Sequence, residues 1–113
     1  ISLKIVLPAI KSLLKPTGQV LCLIKPQFEA GKEKVGKKGV VREPATHKEV
    51  LDGFVALADE LGFRILGLTF SPVKGPEGNI EFLGHLSLAD VPGIRPDTAS
   101  VVEQAHKTLD KGE

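Results

Sequence analysis

Two side chains of opposite charge, Lys25 and Glu81, each lie at the end of an apolar run and are the first candidates for chemistry. The run from Val20 to Ile24 is typical of a buried strand, and Pro26 ends it because proline has no backbone N–H for a sheet. A cation at the carboxyl end of such a strand lies at the edge where open α/β sheets bind ligands. If the strand that begins at Ile80 pairs with this strand in the opposite direction, Glu81 and Lys25 become neighbours.

A lysine beside a carboxylate in a cleft has two different uses. The carboxylate orients the ammonium group, and the lysine acts as a base when its surroundings let it lose a proton. The same pair also fits a structural salt bridge, and a lysine at a strand end often only points to water. The residue types alone leave these alternatives open.

Three helices are predicted to position the strands. The first is capped by Ser2, and Pro8 predicts either an irregular first turn or a start close to Pro8. Its apolar face comprises Leu3, Val6, Ile10 and Leu13. The second begins with the capping box Thr46 to Glu49 and ends at Gly62. Its apolar stripe comprises Val50, Phe54, Leu57 and Leu61. The third follows Asp97, and its apolar face comprises Val101, Val102, Ala105 and Leu109.

Three strands are predicted, at Val20–Ile24, Phe63–Phe70 and Ile80–Leu86. The first two are joined by a helix and should run parallel, whereas the turn 71–79 makes the third antiparallel to the second. Gly78 or Asn79 is expected to supply the positive φ of that turn. The sequence therefore predicts an α/β fold, half of a doubly wound domain, with a mixed sheet that ends in an antiparallel hairpin and has helices on both faces.

Composition limits the classes of function. The chain has 113 residues, is 42% hydrophobic and carries a net charge of +1, so it buries the core of one domain and has no global attraction to nucleic acid. A local basic cluster lies in the glycine-rich segment 30–42, which is either a solvated loop or a phosphate contact; its members are Lys32, Lys34, Lys37, Lys38 and Arg42. Cys22, the one cysteine, predicts a buried, inert thiol in a reducing cytoplasm. No apolar run is long enough to span a membrane.

Metal and nucleotide motifs are not recognised. His47, His85 and His106 do not stand at metal-ligand spacing, so no metal site is expected. The segment 75–79 is rich in glycine but has no P-loop lysine, which favours a turn over a phosphate site.

Three segments carry a resemblance to a known family: VLCLIKPQFEAG at 20–31, VGKKGVVR at 35–42 and SPVKGPEGNIEF at 71–82. Together they resemble the hemolysin-A (TlyA) family of ribosomal-RNA 2′-O-methyltransferases, which are related to FtsJ-type enzymes. The resemblance extends from residue 1 to about Leu86 and implies a class I (Rossmann-like) methyltransferase fold. Residues 87–113 match no motif of this kind.

The resemblance also implies a site. Of the family's Lys-Asp-Lys-Glu catalytic set, the second lysine falls on Lys25 and the glutamate on Glu81. Lys25 would take the proton from a ribose 2′-hydroxyl, and Glu81 would orient the lysine or the hydroxyl. No metal would be needed. Methyl transfer would use S-adenosylmethionine and act on ribosomal RNA or a ribosomal subunit in the cytoplasm. Residues around the same edge are expected to contact the RNA: Gln27, Phe28, Lys37, Lys38, Arg42 and Lys74.

The rest of the catalytic set is expected upstream of residue 1. The chain has no methionine and opens with Ile-Ser-Leu, which resembles the end of a family motif whose aspartate would lie a few residues earlier. The first lysine, the S-adenosylmethionine loop and an RNA-binding S4 domain would lie further upstream. Residues 1–113 are therefore expected to be the carboxyl-terminal part of the methyltransferase domain and to be inactive alone.

Two other functions are compatible with parts of this pattern. A non-catalytic RNA-binding or interaction module would keep the fold without the chemistry, although the intact Lys25 and Glu81 favour the enzyme. Membrane damage, which the hemolysin name suggests, finds no support, since no segment combines a wide apolar face with a basic flank.

Overall fold

The computed structural model describes residues 1–36 and 38–110. Its helices are α1 (Leu3–Leu13), α2 (Pro26–Glu29), α3 (Pro44–Glu60) and α4 (Thr98–Leu109). Its strands are β1 (Gln19–Ile24), β2 (Arg64–Phe70) and β3 (Phe82–Ser87). Short 3-10 turns lie at Lys32–Lys34 and Pro76–Gly78.

The three strands form one sheet in the order β1-β3-β2. β1 and β2 run in the same direction, as predicted for strands joined by a helix, but β3 lies between them and pairs antiparallel with both. The predicted mixed sheet is therefore wrong, since every strand pairing in the described part of the chain is antiparallel. The reason is the burial of β3: Phe82 and Leu86 have no exposed surface, which favours the central position in a sheet.

The helices that build the core lie on one face of the sheet. Residues of α1, α3 and α4 join one hydrophobic cluster with Cys22, Ile24 and Phe82. On β1 the alternate residues Leu21 and Leu23 point to the other face, where they are 70% and 44% exposed. The expectation of helices on both faces is thus wrong for the described residues.

Gly84 allows α3 to approach the sheet closely. A Cβ atom at this position would overlap the ring of Phe54, which is buried in the same core. Cys22 is buried, as predicted, and burial raises the pKa of its thiol to about 11.

The first helix begins as predicted but buries a different face. Ser2 is its N-cap and accepts a hydrogen bond from the Lys4 N–H, and Pro8 lies inside the helix. Leu13, which was predicted to lie on the apolar face of this helix, is 86% exposed, whereas Leu7 is fully buried. The buried face is centred on Leu7, four residues after Leu3, so that at 100° per residue Leu13 falls outside it.

The predicted capping box of α3 is wrong. The N-cap is Glu43, its side chain makes no capping bond, and Pro44 occupies the first helical position, which suits its fixed φ. Thr46 is buried in the first turn instead. The predicted end is confirmed: Gly62 has a φ of +83°, and Phe63 N–H donates to the carbonyl of Ala58 at 2.9 Å.

The third helix and the hairpin turn follow the sequence pattern. Asp97 caps α4 by accepting a hydrogen bond from Ser100 N–H at 3.1 Å. In the turn that precedes β3, Gly78 has a positive φ of +87°, as does Glu77 at +58°, whereas Asn79 does not. No helix in the described ranges has the length and apolar character needed to cross a bilayer.

A chain of polar contacts fastens α4 to α3. His47 is fully buried, and its Nε2 lies 3.0 Å from the Val41 carbonyl oxygen, which assigns the proton to Nε2. His106 Nε2 lies 2.7 Å from His47 Nδ1, and His106 Nδ1 lies 2.9 Å from Asp110 Oδ2. His47 and Asp110 thus hold the His106 ring at its two nitrogens. Burial, and then the charge on His106, lower the pKa of His47 from 6.5 to about 4.

This arrangement predicts a loss of stability in mild acid. Between pH 6.5 and 4 the unfolded chain takes up a proton at His47 and the folded chain does not. The free energy of unfolding therefore decreases as the pH falls through this window, by about 3 kcal/mol at most. Urea unfolding of the chain at several pH values measures the decrease.

A matched pair of variants separates His47 from the other histidines. His47→Gln should remove most of the slope between pH 6.5 and 4, whereas His85→Gln, which alters a half-buried ring bonded to Gln19, should keep it. An unchanged slope in His47→Gln would show that another group takes up the proton.

Candidate catalytic site at the ends of β1 and β3

The register of β1 and β3 brings Lys25 and Glu81 together. Ile24, the last residue of β1, is opposite Phe82, the first residue of β3, so the next residue on one strand faces the preceding residue on the other. Lys25 Nζ lies 3.7 Å from Glu81 Oε2. The proximity that the strand pattern predicted is confirmed.

The two charges differ in burial. The side chain of Glu81 is 7% exposed and that of Lys25 is 29% exposed. A carboxylate this deeply buried is stable only when charged or hydrogen-bonding groups compensate the lost hydration. The lysine remains open to solvent on one side, so a second molecule can reach its amine.

The turn after β1 fixes the direction of Lys25. Pro26 is buried at the first position of α2, and the Lys25 carbonyl accepts hydrogen bonds from the N–H groups of Phe28 and Glu29. Lys25 is therefore the N-cap of a single helical turn. This turn brings the side chains of residues 25 and 27 to the same carboxylate.

Gln27, predicted to contact RNA, contacts Glu81. Its Nε2 donates to Glu81 Oε2 at 2.9 Å, and its Oε1 is buried without a partner among the described residues. Phe28 is 54% exposed, with its ring centroid 5.6 Å from Lys25 Nζ, within reach of a cation–π contact. Gln27 thus contacts the charged pair from its buried side, and Phe28 lies next to Lys25 on the solvent side.

The turn before β3 closes the site from the other direction. A Cβ atom at Gly75 would overlap the carboxylate of Glu81, so the absence of a side chain there makes room for the acid. The Glu81 carbonyl accepts a hydrogen bond from Ser71 N–H at 2.8 Å. The sequence pattern identified Gly75 only as a turn residue and not as part of the site.

The predicted basic residues are divided by the fold. Lys74 lies on the same turn as Gly75, but its Nζ is 3.0 Å from Asp110 Oδ1 at the end of α4. Arg42 is exposed and lines a small cavity with Lys74 and His106. Lys38 is exposed, and Lys37 lies outside the described residues.

Asn79 is a site-supporting residue that the sequence pattern missed. It is 1% exposed, its Oδ1 accepts from Val41 N–H at 3.0 Å, and its Nδ2 donates to the carbonyls of Gly39 and Pro76 at 2.9 and 3.0 Å. One side chain thus joins the basic loop (the segment 35–42) to the turn 71–79, which precedes Glu81. The only sequence signal was an asparagine next to the strand, which also fits an ordinary turn.

Glu29 connects the site to the start of α1. Its carboxylate accepts hydrogen bonds from Ser2 Oγ at 2.7 Å and from Leu3 N–H at 2.8 Å. A negative charge at a helix N-terminus also interacts favourably with the helix dipole. The first residues of the chain are therefore fixed against the segment that carries Lys25.

The site contains an amine, a carboxylate and an amide next to an exposed aromatic ring. This set can orient a hydroxyl group and accept its proton. Within residues 1–36 and 38–110, no three His, Cys, Asp or Glu side chains converge as a metal site requires.

The fold is consistent with a known family of enzymes. The chain belongs to the FtsJ-like methyltransferase family, whose model matches residues 1–88. The resemblance recognised from the three sequence segments is thus confirmed, and α4 lies beyond the matched residues.

Individual relatives carry related names. The chain is 45% identical to "Putative rRNA methyltransferase YqxC" of Bacillus subtilis, over 96% of this chain and 41% of that protein. It is 40% identical to the 16S/23S rRNA (cytidine-2′-O)-methyltransferase TlyA of Mycobacterium tuberculosis, over 73% of this chain and 31% of that protein. The structure of "Putative hemolysin from Streptococcus thermophilus" superposes with a TM-score of 0.90 at 48% identity, covering 98% of this chain and 41% of that one. The chain therefore spans less than half the length of these relatives.

The contact between Gly75 and Glu81 predicts the effect of adding one methyl group. Gly75→Ala should displace the Glu81 carboxylate and break its hydrogen bond to Gln27, at a cost of about 1 kcal/mol in unfolding free energy. Backbone strain is not involved, because Gly75 has a φ of −81°. The side-chain amide signals of Gln27 in a ¹H–¹⁵N spectrum report the displacement.

Gly53→Ala is the matched control. A Cβ atom there meets nothing within 4 Å, and Gly53 lies in the middle of α3. This variant should leave the Gln27 signals in place and stabilise the chain by about 0.5–1 kcal/mol. Unperturbed Gln27 signals in Gly75→Ala would mean that the carboxylate accommodates the methyl group without moving.

Proposed function

We propose that this chain is part of an S-adenosylmethionine-dependent 2′-O-methyltransferase that acts on ribosomal RNA. The observation that carries the proposal is the approach of Lys25 Nζ to the buried Glu81 carboxylate, 3.7 Å apart at the ends of two paired strands. These are the residues on which the resemblance places the second lysine and the glutamate of the catalytic set. Membership of the FtsJ-like methyltransferase family supports the reaction type.

Lys25 is the general base of the proposed reaction. A ribose 2′-hydroxyl approaches from the solvent side, and the neutral amine of Lys25 accepts its proton as the oxygen becomes methylated. Glu81 orients the amine and stabilises the ammonium group that forms. Because the acid is buried and held by Gln27, it keeps its position while the charge on Lys25 changes.

S-adenosylmethionine, when bound, supplies an activated methyl group. The side chains at the site fit the methyl acceptor, since an amine and a carboxylate bind a hydroxyl group. By the resemblance, the S-adenosylmethionine loop of the family lies upstream of residue 1. We therefore assign the binding of S-adenosylmethionine mainly to parts of the protein outside this chain.

The RNA contacts are proposed for the solvent side of the site. Phe28 has the exposed aromatic face that can stack on an unpaired base. The segment 35–42 and Lys74 carry cations that can neutralise phosphates. The partner is ribosomal RNA or a ribosomal subunit, which implies a cytoplasmic location.

In the complete protein, residues 1–113 would form the carboxyl-terminal part of a class I methyltransferase domain. Two features of β1 support this assignment. β1 is an edge strand, whose free backbone groups can pair with a further strand, and its side chains Leu21 and Leu23 are exposed apolar surface that further structure could cover. The share of the relatives that the chain spans, 41% of YqxC, is consistent with this assignment.

Replacing the proposed base tests the function. In the complete parent protein, Lys25→Ala should lower the rate of methyl transfer by about 10²–10⁴-fold, the usual contribution of a general base, while affinity for S-adenosylmethionine stays the same. Transfer of labelled methyl groups to ribosomal RNA, followed by nucleoside analysis for label in the ribose, measures the rate. Lys107→Ala, an exposed lysine of α4, is the control.

The three outcomes have different meanings. Activity that survives in Lys25→Ala would remove Lys25 as the base and leave the fold assignment intact. Loss of cofactor binding would reassign Lys25 to the cofactor site. No ribose methylation by the parent protein, on free RNA or intact ribosomal subunits, would favour a non-catalytic RNA-binding module.

The basic loop makes a separate prediction. Replacing Lys37 and Lys38 by alanine should weaken binding of ribosomal RNA and flatten its salt dependence, because each phosphate contact releases counterions. RNA affinity of the parent protein measured at several salt concentrations gives the slope. An equal slope in this variant would identify the loop as solvated.

The matched control removes two charges elsewhere. Lys11 and Lys107 are exposed on α1 and α4, away from the site. Replacing both should lower the net charge equally and leave the salt dependence of RNA binding close to that of the parent.

A further inference from the structure

Glu81 Oε2 is approached by two donors at different distances. Gln27 Nε2 is 2.9 Å away and makes a hydrogen bond, whereas Lys25 Nζ is 3.7 Å away, beyond hydrogen-bond distance. The neutral amide, and not the ammonium group, thus makes the close contact. This is the reverse of the usual preference, since a carboxylate binds a charged donor more strongly.

The orientation of the Gln27 amide follows from the same contact. The reverse orientation would place the amide oxygen against a carboxylate oxygen, which is repulsive. The observed orientation leaves Gln27 Oε1 buried without a partner in the described part of the chain. A buried unsatisfied acceptor is destabilising, so the contact is poorly explained by stability alone.

A base must lose its proton before it can act. A carboxylate that closes onto an ammonium group as a hydrogen-bonded ion pair stabilises the charged form and reduces the fraction of neutral amine. At 3.7 Å the pair keeps the Coulomb attraction that orients Lys25 but has no short hydrogen bond. The separation therefore favours an oriented lysine that can still be deprotonated.

We propose that Gln27 is a positioning residue that holds the Glu81 carboxylate away from a hydrogen-bonded ion pair with Lys25 and so keeps Lys25 available as a base. The inference rests on the proposed function of Lys25. The backbone supports the proposal, because Pro26 and the single turn of α2 fix the positions of Lys25 and Gln27 relative to each other. On the other side Glu81 lies against the turn 71–79, where Gly75 leaves space for its carboxylate and Ser71 N–H donates to its backbone carbonyl.

Other charged groups around Lys25 have their own partners or lie in solvent. Glu29 of α2 binds Ser2 and Leu3, and Lys74 of the turn 71–79 pairs with Asp110. Glu77 of the same turn is exposed. Among the described residues, Glu81 is the acid in ionic contact with Lys25, and its carboxylate is the group that Gln27 positions.

The direct test observes Lys25 in this chain without any reaction. In Gln27→Leu, which removes the amide and keeps a similar size, Lys25 should close onto Glu81. The titration midpoint of Lys25, followed by NMR with ¹³Cε-labelled lysine, should rise by about half to one pH unit. Comparison with the spectrum of Lys25→Ala identifies the signal, and Gln104→Leu, an exposed glutamine of α4, is the control with no shift.

A kinetic readout in the complete parent protein complements the titration. The acidic limb of the kcat profile should move to higher pH by the same amount in Gln27→Leu, with the KM for S-adenosylmethionine unchanged. A midpoint that stays constant or falls in Gln27→Leu would overturn the role of Gln27 whether or not the protein is active. A raised midpoint without methyl transfer by the parent would keep the coupling and refute the proposed function. Where Gln27→Leu does not fold, Gln27→Ala takes its place.

Discussion

The pairing of β1 with β3 is the constraint on which the site depends. Ile24 and Phe82 are opposite each other and fully buried, so the core fixes the register of the two strands. A slip of one residue would move these side chains out of the core and turn Glu81 to the other face of the sheet. The position of the acid relative to Lys25 is therefore determined by the hydrophobic packing of the adjacent residues, Ile24 and Phe82, and not by the attraction between the two charges.

The buried carboxylate in turn determines what its neighbours can be. A side chain at Gly75 would overlap the space that Glu81 occupies, and Gln27 donates a hydrogen bond to the carboxylate. The lysine contributes charge compensation at longer range. A site built in this way holds its acid rigidly and its base loosely, which suits a residue that must gain and lose a proton.

Much of the secondary structure was predictable, since apolar runs located the strands and helical apolar patterns located the helices. The Lys25–Glu81 proximity followed from antiparallel pairing of the first and third strands. What was not predictable depended on contacts between distant parts of the chain. His47 and His106 are 59 residues apart and meet only because α4 packs on α3. The capping box at Thr46 failed because burial of that side chain and the proline at the first helical position outweighed a local hydrogen bond. The sheet was expected to be mixed because the helical connection makes β1 and β2 parallel, and the sequence does not show whether these two strands pair directly.

Asn79 has a consequence for how this fold tolerates change in length. Its amide binds Gly39 on one segment and Pro76 on another, so the two loops share one anchor although Gly39 and Pro76 are 37 positions apart in the sequence. An insertion or deletion in the 35–42 loop would shift the partner of that anchor and strain the turn that carries Glu81. The two loops can therefore diverge in length only together, and a graft of the basic loop from a relative would need the matching turn to be transplanted with it.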